Sequence, residues 1–136
     1  MANETIINKL EKGRAEFAYR CVEKAIEIFS SNPKKLKEYK SYTRKIPTMI
    51  LSNGLGQTLA FVKAKSENGN AYDLIYKQLI EYMKSEHTAR IKMPHEKNEL
   101  LEWVISCDSS IYRYITQEIL AFLSWLKRFA EGLIEE

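Results

Sequence analysis

The chain has 136 residues, of which 45% are hydrophobic and 29% charged, and its net charge is +3. This balance is typical of one globular domain with a sizeable core, so we expect a single domain over residues 1–136. No apolar run approaches the ~18 residues of a membrane span, and the N-terminus lacks the pattern of a signal peptide, so no membrane partner is expected. Cys21 and Cys107 lie in apolar surroundings, which is typical of free thiols in a reducing, cytoplasmic location.

The first third of the chain predicts two helices. Apolar residues recur every three or four positions over residues 4–30, which indicates a long amphipathic helix with Asn3 as its N-cap. This helix ends before Pro33, because the residue that precedes a proline avoids the α conformation. A second helix is expected over residues 34–46, and Pro47 is expected to kink the chain or to start a new helix.

The stretch LSNGLGQT, residues 51–58, allows two interpretations. A glycine loop before a helix could hold a phosphate, but the stretch lacks the lysine of a P-loop and no sheet is predicted. The sequence favours one helix over residues 48–65, with a break near Asn53 and Gly54 as the open alternative. Small side chains on one stripe let a neighbour approach closely. The residues expected to pack against a partner subunit are Asn53, Gly56, Gln57 and Ala60, on a stripe that continues to Ala64.

The remaining sequence also predicts helices. They are expected over residues 71–84, 98–107 and about 110–134. Asn70 is the N-cap of the first, and Asp108 or Ser109 starts the last. Residues 85–97 are polar and aperiodic, which indicates a loop. Since no segment alternates between apolar and polar residues, we expect an all-α fold, a compact bundle of five or six helices.

Positive charge is concentrated in residues 34–45, which hold six basic residues and one acid, whereas the rest of the chain has 15 basic and 17 acidic residues. This imbalance suggests a polyanion or an acidic protein surface as partner. The last helix carries a second, smaller basic set beside a polar stripe formed by Arg113, Gln117, Ser124 and Arg128. Rows of this kind contact phosphates without reading sequence. The residues expected to contact the phosphates of such a partner are Lys34, Lys37, Lys40, Arg44, Lys45, Arg113, Lys127 and Arg128.

No group of residues indicates catalysis. His87 and His95 lie in a polar loop without converging ligands, so we expect neither a metal nor another cofactor. Four aromatic residues at helical spacing are expected in the core rather than on a base-stacking platform: Trp103, Phe122, Trp125 and Phe129.

Two long segments resemble one known family. They are EYKSYTRKIPTMILSNGLGQTLAFVKAK, residues 38–65, and LLEWVISCDSSIYRYITQEILAFLSWLKRFAEGLI, residues 100–134, with AYDLIYKQL, residues 71–79, between them. Together they resemble the small subunit of the Cmr complex, the type III-B CRISPR-Cas effector. The chain departs from the family pattern at Ile115, where alanine is commoner, and at Lys127, where arginine is commoner.

The resemblance implies an all-helical, non-enzymatic subunit. Several copies would stack beside the filament that carries the guide RNA, next to the large subunit and the backbone subunit, and would line the groove where target RNA pairs with the guide. The matching basic residues are Lys40, Arg44, Lys45, Arg113, Lys127 and Arg128. Two alternatives stay open: a purely protein-binding helical adaptor, and a nucleotide-binding enzyme built on the glycine stretch.

Overall fold

Six α-helices make up the fold of the computed structural model, which describes residues 5–135 apart from the side chains of Ile6 and Ile7. They are α1 (Ile6–Ile28), α2 (Pro33–Asn53), α3 (Leu55–Lys65), α4 (Ala71–Lys84), α5 (Leu100–Ser106) and α6 (Ser109–Leu133). The part of the chain from residue 5 to residue 135 contains no strand. The predicted all-α bundle of five or six helices is therefore confirmed.

The two longest helices, α1 and α6, lie against each other along much of their length. The side chain of Thr5 caps α1 by accepting from the backbone N–H of Asn8 at 3.1 Å, while the predicted N-cap, Asn3, lies outside the described residues. Asp108 caps α6 by accepting from the backbone N–H of Ile111 at 3.0 Å. Asp108 was one of the two residues predicted to start this helix. The apolar face of α6 forms the centre of the bundle, between α1 and α2.

The second helix continues through Pro47, so the expectation that this proline would start a new helix is wrong. A proline inside a helix costs about 3 kcal/mol, because it removes one backbone donor and crowds the preceding turn. Ile46 and Ile50, on either side of Pro47, are buried in the core. Their burial compensates for the proline, which a local sequence pattern does not reveal.

The chain turns at Gly54, so the prediction of one helix over residues 48–65 is wrong. Gly54 has φ +89° and ψ 162°, a conformation that favours glycine. Its N–H donates to the Ile50 carbonyl at 2.8 Å, and its own carbonyl accepts from the Thr58 hydroxyl at 2.8 Å. Gly54 therefore closes α2 and opens α3, and this break is the alternative that the sequence left open.

Buried apolar residues from all six helices form one hydrophobic cluster. The loop between α4 and α5 joins it through Met93, which is fully buried and whose N–H donates to the Met83 carbonyl at 2.8 Å. Trp103 and Phe122 lie in this cluster as predicted, whereas Trp125 and Phe129 are only half-buried. The last two aromatic residues therefore remain accessible at the surface between α1 and α6.

Candidate nucleic-acid interface

The basic segment of α2 begins at a well-capped helix end. Asn32 accepts from the backbone N–H of Lys35 at 3.1 Å, and Pro33 occupies the first turn, where a proline is tolerated. The helix then buries Tyr39, Thr43 and Ile46, so residues on the opposite side face solvent. The exposed cations of the predicted set on this helix are Lys34, Lys37, Arg44 and Lys45.

Lys40 does not lie on this exposed side, so its predicted place on the basic surface is wrong. Its residue is only 9% exposed, and its ammonium group donates to the Ile134 carbonyl at 2.9 Å. That carbonyl lies just past α6, where the terminal carbonyls of a helix lack intrahelical donors and attract a cation. Lys40 therefore joins α2 to the end of α6 inside the fold.

The adjacent residues Arg44 and Lys45 contact different helices. The Arg44 guanidinium lies 3.5 Å from the Glu131 carboxylate on α6, with both side chains substantially exposed. The Lys45 ammonium lies 3.4 Å from the Tyr72 hydroxyl and 5.1 Å from the centre of the Phe61 ring. An exposed pair such as Arg44–Glu131 is weak, so Arg44 remains available to an anionic partner.

The predicted polar stripe of α6 faces solvent along its whole length. Arg113, Gln117, Ser124 and Arg128 are exposed, and Lys127 is half-buried beside them. Arg113 and Arg128 are about 22 Å apart along the axis, at 1.5 Å per residue. Lys45 is also exposed, but it lies against Tyr72 and Phe61. We use the name basic face for the five other exposed cations of the predicted set on these two neighbouring helices: Lys34, Lys37, Arg44, Arg113 and Arg128.

The residues predicted to pack against a partner subunit are divided between two helices. Asn53 ends α2, whereas Gly56, Gln57 and Ala60 belong to α3, so the four do not form one helical stripe. Gly56 is half-buried against α6, where its N–H donates to the Tyr112 hydroxyl at 2.8 Å. Asn53, Gln57 and Ala60 are exposed. Tyr112 therefore takes part of the space that was expected to let a neighbour approach Gly56, and it also accepts from an N–H that a phosphate loop would need.

A buried polar network was not predicted from the sequence. The Glu118 side chain is 5% exposed, and its carboxylate accepts from the Arg14 guanidinium at 3.0 Å and from the Tyr82 hydroxyl at 2.9 Å. It also accepts from the backbone N–H of Ala89 at 2.8 Å, which ties the loop after α4 to α6. Burial, together with the negative charge of Glu118, raises the pKa of the Tyr82 hydroxyl well above its ordinary value. Helix periodicity does not reveal the network, because its members come from distant parts of the chain.

The histidines do not come together at one site. His87 lies under α1, with its ring 5.9 Å from that of Phe17, whereas His95 is exposed. Within residues 5–135 no group of three or more His, Cys, Asp or Glu side chains is placed to hold a metal ion. None of the helices in that range is long and apolar enough to cross a bilayer.

These features define a class, a small all-helical protein with an exposed basic face on two neighbouring helices. Residues 10–133 match the family described as CRISPR-associated protein (Cas_Cmr5), and the chain belongs to this family. Its predicted membership of the small-subunit family of the type III-B Cmr complex is thus confirmed.

A protein sequence and a crystal structure, both from Thermus thermophilus, are similar to the chain. One is the CRISPR system Cmr subunit Cmr5, which is 30% identical over 99 residues, or 73% of this chain and 77% of that protein. The other is a CRISPR-associated Cmr5 family protein of the same species, which is known from an X-ray crystal structure. Its TM-score is 0.70 at 27% identity, and the match covers 93% of this chain and 97% of that one. The fold is therefore that of the family over nearly the whole described chain.

Proposed function

We propose that the chain is a non-catalytic structural subunit of a type III-B RNA-guided effector complex and that it contacts RNA through its basic face. Family membership supports the structural role. In the proposed assembly, several copies stack beside the filament that carries the guide RNA, and the large subunit and the backbone subunit are neighbours. The catalytic activities of the complex belong to other subunits, and the assembly acts in antiviral defence in the cytoplasm.

The observation that supports the RNA contact is that the cations of the basic face are exposed to solvent. Lys34, Lys37, Arg113 and Arg128 are exposed, and the ion pair of Arg44 is long and open to solvent. Cations that are not committed to the fold can exchange their counterions for phosphates at little cost. Such a surface holds an A-form duplex by its backbone, while base pairing between guide and target supplies the sequence specificity.

A second candidate function is protein binding without RNA contact, and two exposed apolar residues favour it. Leu51 is 75% exposed near the end of α2, and Ile105 is 64% exposed on α5, next to Gly56. If a partner covered these two side chains, the apolar surface removed from water would stabilise the complex. Under this alternative, the end of the bundle that carries Gln57 and Ala60 docks on a neighbouring subunit or on a further copy of the chain.

The salt dependence of RNA binding separates the two candidates. Replacing both Lys37 and Arg44 with alanine should flatten the slope of log affinity against log salt by ~0.7 for each phosphate of a single strand that the variant no longer neutralises. The matched control replaces Arg20 and Lys24, two exposed cations of α1 that lie on its α4 side, and should leave the slope unchanged. Equal slopes in the two double variants would contradict the proposed RNA contact.

The reciprocal test concerns assembly. Replacing Leu51 and Ile105 with serine should prevent incorporation into the reconstituted complex if this end docks on another subunit. The Lys37 and Arg44 double variant should still be incorporated but should protect the target RNA less well. Loss of incorporation in the Lys37 and Arg44 variant alone would favour the protein-binding alternative.

A further inference from the structure

A surface cavity of about 560 Å³ lies between α1 and α6, at the edge of the basic face. Its lining combines an indole, a carboxylate and two guanidinium groups, from Trp125, Glu11, Arg14 and Arg128. A cavity of this volume lies within the range of small-molecule binding sites. The same four chemical groups serve in proteins to stack, hydrogen-bond and neutralise a nucleotide.

The Trp125 indole lines this cavity. Phe129, one turn later on α6, stacks against the indole with ring centres 5.6 Å apart and planes inclined by 24°. One turn earlier, α6 carries Ala121, whose methyl group also lines the cavity. Because that position holds only a methyl group, no large side chain one turn earlier on α6 covers the indole, which is half-buried.

Glu11 provides a hydrogen-bond acceptor at the edge of the indole. Its Oε1 atom accepts from the indole N–H of Trp125 at 3.4 Å and from the Arg14 guanidinium at 3.3 Å. Oε2 has no hydrogen-bond partner among the described residues, and the side chain is 49% exposed. The carboxylate is therefore held in place by two long contacts while keeping an oxygen available to a ligand.

Of the two arginines that line the cavity, Arg128 has no ion pair with any described residue. Arg14 is committed to Glu118, whereas Arg128 is exposed and belongs to the basic face. A phosphate attached to a ligand in the cavity would thus meet an exposed cation that no described residue neutralises. The Ser124 hydroxyl, which also lines the cavity, is a further donor.

We propose that this cavity binds one guanine base, stacked on Trp125 and hydrogen-bonded to Glu11, with its phosphate on Arg128. The Watson–Crick edge of guanine offers two adjacent N–H donors, N1–H and N2–H, which can both donate to the two lone pairs of the Oε2 atom of Glu11. Adenine places an acceptor at N1 and offers only one donor on this edge, so the carboxylate selects guanine. The inference extends the proposed RNA contact from backbone binding to the recognition of one unpaired base, and a free guanine nucleotide offers the same chemistry.

Tryptophan fluorescence tests the stacking directly, since the chain has two tryptophans. Trp103→Phe leaves Trp125 as the sole emitter, and Trp125→Phe leaves Trp103, which is 7% exposed in the core. Titration with guanosine monophosphate, and with a single-stranded oligouridine that contains one guanosine, should quench the first variant and not the second. Circular dichroism verifies that both variants are folded. Equal quenching in both variants, or none in either, would overturn the pocket.

The base preference is tested by Glu11→Gln, with Glu16→Gln as the matched control on the exposed side of α1. The wild type should bind the guanosine oligonucleotide about tenfold more tightly than one with adenosine at the same position, within the usual range for a bidentate base contact. Glu11→Gln should abolish this difference, and Glu16→Gln should keep it. Equal affinity of the wild type for both oligonucleotides would overturn the assignment of guanine.

The same titrations distinguish RNA from a free nucleotide as the ligand, and they distinguish the guanine pocket from the proposed backbone contact. Tighter binding of the oligonucleotide than of guanosine monophosphate identifies RNA as the ligand, whereas equal binding identifies a free nucleotide. Salt-dependent RNA binding without quenching of Trp125 would overturn the pocket and leave the backbone contact standing. Quenching by guanosine monophosphate in a protein that binds no RNA would support the pocket and refute the backbone contact.

Discussion

The network around Glu118 and the basic face use the same residue types in opposite ways. Arg14 is 15% exposed and is held by Glu118 and Tyr82, whereas the pair of Arg44 with Glu131 is exposed and 3.5 Å long. A buried ion pair is costly to break because the remaining charge is left unpaired, while an exposed pair contributes little. The residue type therefore does not decide whether a cation stabilises the fold or remains available to a partner. Its burial and its partners do.

The largest expected effect comes from breaking the buried network. Glu118→Ala should lower the free energy of unfolding by about 3–5 kcal/mol, because it removes the buried carboxylate that accepts from Arg14 and from the Ala89 N–H. Urea denaturation followed by circular dichroism measures the change. Glu131→Ala, which removes the exposed partner of Arg44, should cost less than about 1 kcal/mol. Similar losses in the two variants would contradict the distinction between the network and the basic face.

A smaller effect should separate two lysines of α2 that lie one turn apart. Lys40→Met should cost about 1–3 kcal/mol, because the Ile134 carbonyl loses a buried, charged donor. Lys37→Ala, on the exposed side, should change stability by less than about 0.5 kcal/mol. RNA binding should show the reverse order, with the weaker salt dependence in Lys37→Ala. Thermal denaturation of the two variants tests the predicted order of stability, and salt titration of their RNA binding tests the reverse order.

The smallest expected effect is a pH dependence caused by a buried thiol. Burial raises the pKa of Cys21 to about 12, and the charge of Glu81 adds to the increase. The unfolded chain then releases this proton at lower pH than the folded one, so the stabilisation is complete below about pH 9 and is lost as the pH rises toward 12. Between pH 9 and 10 the loss should be about 1 kcal/mol.

Denaturation at several pH values, compared with Cys21→Ala, measures that loss. The variant should be less stable at neutral pH but should show a shallower decline between pH 9 and 10. Cys107→Ala is the matched control, since that thiol is only half-buried and should contribute less. A decline that is identical in the wild type and in Cys21→Ala would contradict the assignment to Cys21.

Helix periodicity was sufficient to predict most of the fold. The last helix, predicted over about 110–134, and its solvated polar stripe with Arg113 and Arg128 follow from spacing within one helix, and both predictions are confirmed. Pro47 was interpreted from its local chemistry alone, whereas burial of Ile46 and Ile50 keeps the helix continuous. Local propensity fails where packing from other helices compensates for it.

The site was harder to predict than the fold, and Lys40 shows the reason. A helical projection places it with the exposed cations, but the projection does not contain α6, whose end supplies the Ile134 carbonyl. The cavity beside Trp125 depends in the same way on Glu11, which is 114 positions earlier in the chain. Contacts between residues so far apart leave no periodic signal in a single sequence.

The contact between Lys40 and Ile134 has a consequence for binding strength. Because Lys40 is buried, this contact holds the cations of α2 at a fixed distance from those of α6. Two contact sets at a fixed spacing act as a bivalent ligand, so the first set to engage a strand raises the effective concentration of the second. A strand long enough to reach both helices would therefore gain more affinity than the number of its phosphate contacts suggests, and a shorter strand would not.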